Sequence, residues 1–164
     1  MGSFDRMIIV GMADLNVTKC PGVLTTLGLC SCVGIALYDP INKIAGLAHV
    51  MLPDSTQIKN NSNVAKFADS ATKKLIMDMC IMGAKRDFLK AKIAGGAQMF
   101  AFDSTNENMR IGDRNVEATI RILRMYGIPI VANHTGSNYG RTIELYSDDG
   151  RLIVKTIGHG TYVI

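Results

Sequence analysis

The sequence predicts an α+β domain in which mixed or antiparallel β-sheets form a layered sandwich with two main helices. Three observations carry this. Short apolar runs punctuated by glycine fill residues 7–52, at strand length rather than helix length. Two longer segments, 63–82 and 113–126, place apolar residues at three- and four-residue intervals, the period of a helix with one buried face. Near the C-terminal end, Ser147-Asp148-Asp149-Gly150 separates two further strand-like runs and reads as a tight hairpin turn.

Taken in order, residues 7–12, 23–27, 32–38 and 45–52 are the first strands. Asp39-Pro40 followed by Ile41-Asn42-Lys43 is a turn between apolar runs. A hairpin pivoting at residues 40–43 brings residue 32 roughly opposite residue 49. Residues 53–63 are polar and rich in Asn and Ser, hence a loop. The helix over 63–82 buries Val64, Phe67, Ala68, Ala71, Leu75, Met79 and Met82, and Gly83 sits where a C-cap belongs. Met77, Met79 and Met82 fall in this pattern as core filling. Residues 91–96 form a buried strand that runs into Gly95-Gly96, and 103–112 a polar loop. The second helix, 113–126, turns Val116, Ile120 and Leu123 inward and ends at Gly127. Strands follow at 128–132, 141–146 and 151–157. With no repeat, low-complexity tract or linker, residues 1–164 read as one domain.

Composition bounds the function classes. Of 164 residues, 48% are hydrophobic and 20% charged, as in an ordered globular chain. The net charge of +4 is scattered, with no basic run interleaved with aromatics, which argues against nucleic-acid binding. A mildly basic surface suits an acidic protein partner equally well. Cys20, Cys30, Cys32 and Cys80 occur without a secretory signal, and no apolar run approaches the roughly 18 residues of a membrane helix. The expectation is a cytoplasmic protein with free thiols and no membrane insertion.

The segment from residue 25 to 55 concentrates the chemistry. It holds Cys32 and His49 in one strand-like block, with Thr26 just upstream. A thiol becomes a useful nucleophile when a neighbour takes its proton and holds it as thiolate, and a histidine with an orienting partner is the usual means. Cysteines in strands are more often small buried apolar residues. Two local features favour the chemical reading here. Gly28-Leu29-Cys30-Ser31 is short and turn-like, so the backbone N–H groups of Gly28 and Ser31 are candidates to face a developing oxyanion. The hairpin supplies His49 from across the sheet. The bland alternative for His49 is a core histidine bonded to a carbonyl, and for Thr26 an ordinary β-branched strand residue.

Other motifs point elsewhere only weakly. Cys30-x-Cys32 invites a redox or zinc reading, but it is not C-x-x-C and lacks a second cysteine pair. Gly95-Gly96 and Gly158-His159-Gly160 complete no phosphate-loop pattern, so tight turns or close backbone approach to the active block explain them better. No metal or organic cofactor is expected.

Several stretches together carry a family resemblance. They are Pro21-Gly22-Val23, Thr26-Leu27-Gly28-Leu29, Ser31-Cys32-Val33, Tyr38-Asp39-Pro40 and the run from Ala48-His49-Val50 to Asp54-Ser55. Lys92-Ile93-Ala94-Gly95-Gly96-Ala97, Ile111-Gly112 and Arg114-Asn115-Val116-Glu117-Ala118 continue it. In these, over residues 7–160, the chain resembles the CheD family of chemoreceptor glutamine deamidases.

The resemblance implies a cysteine-hydrolase fold shared with certain deamidating bacterial toxins. It implies a triad with Cys32 as nucleophile, His49 as base and Thr26 as orienting residue. It also implies glutamine substrates on the cytoplasmic helical bundle of methyl-accepting receptors, and docking to the phosphatase CheC. A non-catalytic docking module that regulates CheC is the rival reading; a thiol redox sensor using Cys30 and Cys32 is a third. The chain departs from the family pattern at Cys30, where glycine is usual, and at Asn133-His134-Thr135-Gly136-Ser137, where an acidic residue and a Gly-Gly pair are common. A positive φ at residue 30 would strain a cysteine.

Overall fold

Every residue of Val33–Asp39 and Ile44–Val50 is buried, which strands achieve only when both sheet faces are covered. The computed structural model describes residues 6–99 and 110–164 and shows how this is done. In chain order the strands are β1 (Arg6–Ile9), β2 (Asp14–Lys19), β3 (Gly22–Leu29), β4 (Val33–Asp39), β5 (Ile44–Val50), β6 (Lys90–Gly95), β7 (Ile130–Thr135), β8 (Arg141–Tyr146), β9 (Leu152–Thr156) and β10 (Thr161–Val163). Helices α1 (Ala68–Met82) and α2 (Ile111–Met125) precede β6 and β7 respectively.

Two five-stranded sheets result, ordered β1-β3-β8-β9-β10 and β2-β5-β4-β6-β7. Each is mixed, with β1 parallel to β3 and β6 parallel to β7. One face of the second sheet, through Val33, Ile35, Leu37, Ala48 and Val50, packs with Leu75 and Met79 of α1 and Leu123 of α2. Its other face, through Cys32, Ala36, Tyr38, Ala45 and Leu47, meets Leu24, Ile143, Leu145 and Val154 of the first sheet. The layers are therefore helices, sheet and sheet, the α+β sandwich predicted. Among the described residues no helix is long and apolar enough to cross a membrane.

The pivot of the β4–β5 hairpin is built by Asp39. Its buried carboxylate accepts from Ile41 N, Asn42 N, Asn42 Nδ2 and Lys85 N at 2.8–2.9 Å. Burial alone raises a carboxyl pKa, but these donors outweigh it and hold Asp39 below its ordinary value.

Several elements differ from the sequence expectation. Strand β2 is not apparent in Asp-Leu-Asn-Val-Thr-Lys because it is a sheet-edge strand pairing only with β5, so its alternation is half polar. Strand β10, exposed throughout, pairs only with β9. Helix α1 starts at Ala68 rather than 63. Residues 64–66 make a 3-10 turn whose last carbonyl, Lys66 O, accepts from Met51 N and Leu52 N, and Phe67 is extended with its side chain fully buried. Val64 and Met77 are exposed, not core. On α2 the fully buried stripe is Gly112, Asn115, Thr119 and Leu123, while Val116 and Ile120 are only partly buried against the core. Of the loop expected at 103–112, residues 103–109 lie outside the described residues.

Candidate active site

Strand register decides which face each side chain occupies. In the β4–β5 ladder Val33 pairs with Val50 and Gly34 with His49. Residue 32 is therefore one diagonal step from His49 rather than opposite it, on the same face because strand side chains alternate. Diagonal neighbours stand about 7–8 Å apart at Cα, closer at their side chains. Cys32 itself precedes β4 and closes the bend at Cys30-Ser31.

The facing sheet supplies the third group. Thr26, on β3, pairs with Ile143 of β8 and projects between the sheets. Its Oγ1 lies 2.7 Å from His49 Nδ1 and donates to Val10 O at 2.6 Å. A hydroxyl has one proton. Since that proton is given to Val10, Thr26 accepts from Nδ1–H, which assigns His49 the tautomer with a bare Nε2. That Nε2 is buried and has no hydrogen-bond partner among the described residues. The imidazole is thus held from one side, with a free lone pair on the other. The thiol is not bonded to it in this resting geometry; such contacts tighten when substrate binds.

Exposure differs among the three. Thr26 and His49 have no accessible surface, whereas Cys32 retains 8%. Of the three residues, Cys32 is the one that keeps any exposure.

Burial pushes the Cys32 thiol above its ordinary value; the nearby Cys30 adds to this, and Cys32's own backbone N–H acts in the opposite sense. Burial also holds His49 below its ordinary imidazole value. Both effects favour the uncharged forms.

Backbone contacts fix the bend at Cys32. Gly96 N donates to Cys32 O at 2.8 Å and Ala97 N to Cys30 O at 2.7 Å. A Cβ on Gly95 (φ 106°) would stand 2.3 Å from Cys32 O, so only glycine permits this approach. The Gly95-Gly96 pair serves close backbone approach to the active block, as read from the sequence.

The remaining candidates separate. Ser31 adjoins Cys32, and its carbonyl accepts from Asn115 Nδ2. Gly28 (φ 73°) is exposed at the irregularity in β3 between Thr26 and Leu29. Cys30 is not among the described residues with positive φ, so no strain attends it, and all four cysteines are free thiols. The loop after β7 is held from within. Buried Arg141 donates to His134 Nδ1 at 2.9 Å and to Gly136 O at 3.0 Å. Sequence reasoning did not single out Asn115. Gly112, Asn115, Thr119 and Leu123 recur at helical spacing, but two of them are polar, so the stripe does not read as buried before the helix is packed.

Comparison with known proteins gives concordant matches. A family profile described as "CheD chemotactic sensory transduction" matches residues 51–156. The "Probable chemoreceptor glutamine deamidase CheD" of Caldanaerobacter subterraneus subsp. tengcongensis is 59% identical over 97% of this chain and 98% of that protein. The protein of the same description from Lachnoclostridium phytofermentans is also 59% identical, over 93% of this chain and 95% of its own. The "Chemoreceptor glutamine deamidase CheD" of Halalkalibacterium halodurans is 52% identical over 94% and 96%. Among solved structures, Bacillus licheniformis hypothetical protein YfiH aligns with a TM-score of 0.44 and 17% identity, over 74% of this chain and 50% of that one.

Proposed function

The chain belongs to the CheD family, and we propose that it hydrolyses glutamine side chains of chemoreceptors to glutamate with Cys32 as nucleophile. The observation that carries the assignment of roles is the Thr26–His49 hydrogen bond. It commits Nδ1 and leaves Nε2 bare on the face that Cys32 shares.

The chemistry follows from these groups. The Cys32 sulfur bonds to the carboxamide carbon while its proton passes to His49 Nε2 and the C=O π pair moves to oxygen. The imidazolium, steadied by Thr26 Oγ1, returns that proton to the amide nitrogen, the C–N bond breaks and ammonia leaves. Water then adds to the thioester, giving its proton to Nε2. The C–S bond breaks, the sulfur regains the proton, and the carboxylic acid so formed passes its remaining proton to ammonia and leaves as glutamate. The product gains one negative charge and becomes a methylatable carboxylate, which changes receptor electrostatics.

The enzyme acts on the cytoplasmic helical part of the receptor and docks on CheC where that phosphatase is present. The bare buried base favours a hydrolase over a docking module without activity, since docking requires no such group. Incubation with receptor cytoplasmic fragments, read by mass spectrometry, tests the proposal. Gln→Glu conversion is expected with the wild type and none with a folded Cys32→Ala protein. Conversion by Cys32→Ala would refute the nucleophile.

A further inference from the structure

The β4–β5 ladder stops one rung short of the nucleophile. Its last pair is Val33–Val50, and the next positions, Cys32 and Met51, turn their backbones to other partners. Cys32 O accepts from Gly96 N, and Met51 N donates to Lys66 O. The two strands part where Cys32 and His49 most need a fixed offset.

A side chain from α2 spans that gap. Asn115 has no accessible surface, and its Nδ2 donates to both Ser31 O and Met51 O, each at 2.9 Å. Ser31 is the residue before the nucleophile; Met51 is two after the base. Both acceptors are carbonyl oxygens, so the amide must present its NH2 to them. Its Oδ1 is then left buried without a partner among the described residues. Such an atom is destabilising, and buried polar groups are normally paired. The contact that Asn115 keeps despite this is the pair of donors. Other features closest to it also belong to this joint: Thr119 Oγ1 donates to Asn115 O at 2.7 Å, and a Cβ on Gly112 would meet Ala97 O and Gly96 O. The start of α2 therefore lies directly against Gly96-Ala97, whose N–H groups hold Cys32 O and Cys30 O.

We propose that Asn115 is a positioning residue, whose carboxamide replaces the missing rung between β4 and β5 and holds the Cys32 backbone at a fixed offset from His49. It acts through the two carbonyls and touches neither sulfur nor substrate. The assignment rests on Cys32 as the reactive thiol.

Two variants and two readouts test it. Asn115→Ala removes both donors; Asn115→Asp keeps the shape and, as a carboxylate, donates nothing. The first readout needs no receptor: iodoacetamide alkylation of Cys32 as a function of pH, followed on its own peptide by mass spectrometry. The second is kcat and KM for Gln→Glu conversion. In protein that melts cooperatively, each variant should shift the pH profile of Cys32 alkylation. Each should also lower kcat by about a hundredfold, the order set by an ångström of misplacement, with KM within about twofold. A folded variant with an unchanged profile and kcat within about threefold of wild type would overturn the proposal.

If neither variant folds, 15N spectra of the wild type decide. Alkylating Cys32 should move the Asn115 side-chain amide resonances and leave them protected from exchange, and resonances that neither move nor show protection would overturn it. Failure of the deamidase reading shows itself separately, as wild-type protein without conversion whose Cys32 alkylation still depends on Asn115.

Discussion

Replacing Thr26 by valine keeps its shape and removes one oxygen, and that oxygen serves two partners. Val10 O loses its donor at 2.6 Å and His49 Nδ1–H its acceptor at 2.7 Å, both in a part of the core where Thr26 and His49 have no exposure. Each buried group left unpaired costs about 1–3 kcal/mol, so Thr26→Val should lose roughly 2–6 kcal/mol of stability. The kinetic loss is distinct. During attack His49 becomes a cation, and a hydrogen bond to a charged group contributes about 1.5–3 kcal/mol. At about 1.4 kcal/mol per decade, kcat should fall roughly 10- to 150-fold. KM should hold, since a buried residue cannot touch the receptor. Conversion of receptor fragments, measured well below the melting temperature, gives kcat and KM; thermal denaturation gives stability. Thr26→Ser, which retains the hydroxyl, should recover most of the rate. A folded Thr26→Val enzyme with wild-type kcat, or one whose KM rises while kcat is unchanged, would refute the orienting role.

Three further outcomes are expected. Because burial holds His49 below its ordinary 6.5, kcat/KM should stay flat through neutrality and fall only beneath pH 6.5; an acid limb at or above 6.5 would refute a neutral resting base. Stability has the same sign: the unfolded imidazole takes its proton at 6.5 and the folded one only lower, so Tm should drop as pH falls through that window. Cys30→Gly should keep near-wild-type activity in reductant, because Cys30 meets the bend through its backbone carbonyl, and peroxide challenge followed by activity assay should show it no more sensitive than wild type. Gly95→Ala should be severe, on the order of 3 kcal/mol or more, because φ is 106° and the new methyl meets Cys32 O; a thermal melt within about 1 kcal/mol of wild type would contradict the close approach.

Residue type and spacing alone were enough to read the α+β class, both helices and the pairing of a cysteine strand with a histidine strand through the turn at 40–43. These are local properties: apolar runs of strand length, a helical period and an Asp-Pro turn whose carboxylate folds onto its own following amides. Residue type and spacing also carried the family resemblance on which Thr26 was matched to the orienting role. Tertiary structure decided the rest. That Thr26 reaches His49 depends on the facing sheet, where the β3–β8 ladder sets Thr26 opposite Ile143, far along the chain. Strands β2 and β10 depend on single neighbours at sheet edges, so their polar patterns carried too little signal. The direction in which each pKa moves was likewise out of reach, because burial raises the thiol and lowers the imidazole only once both sheet faces are closed. Asn115 shows the same limit most plainly. A polar residue on a helix reads as surface until the helix is packed, and only then do its two donors meet the carbonyls of Ser31 and Met51.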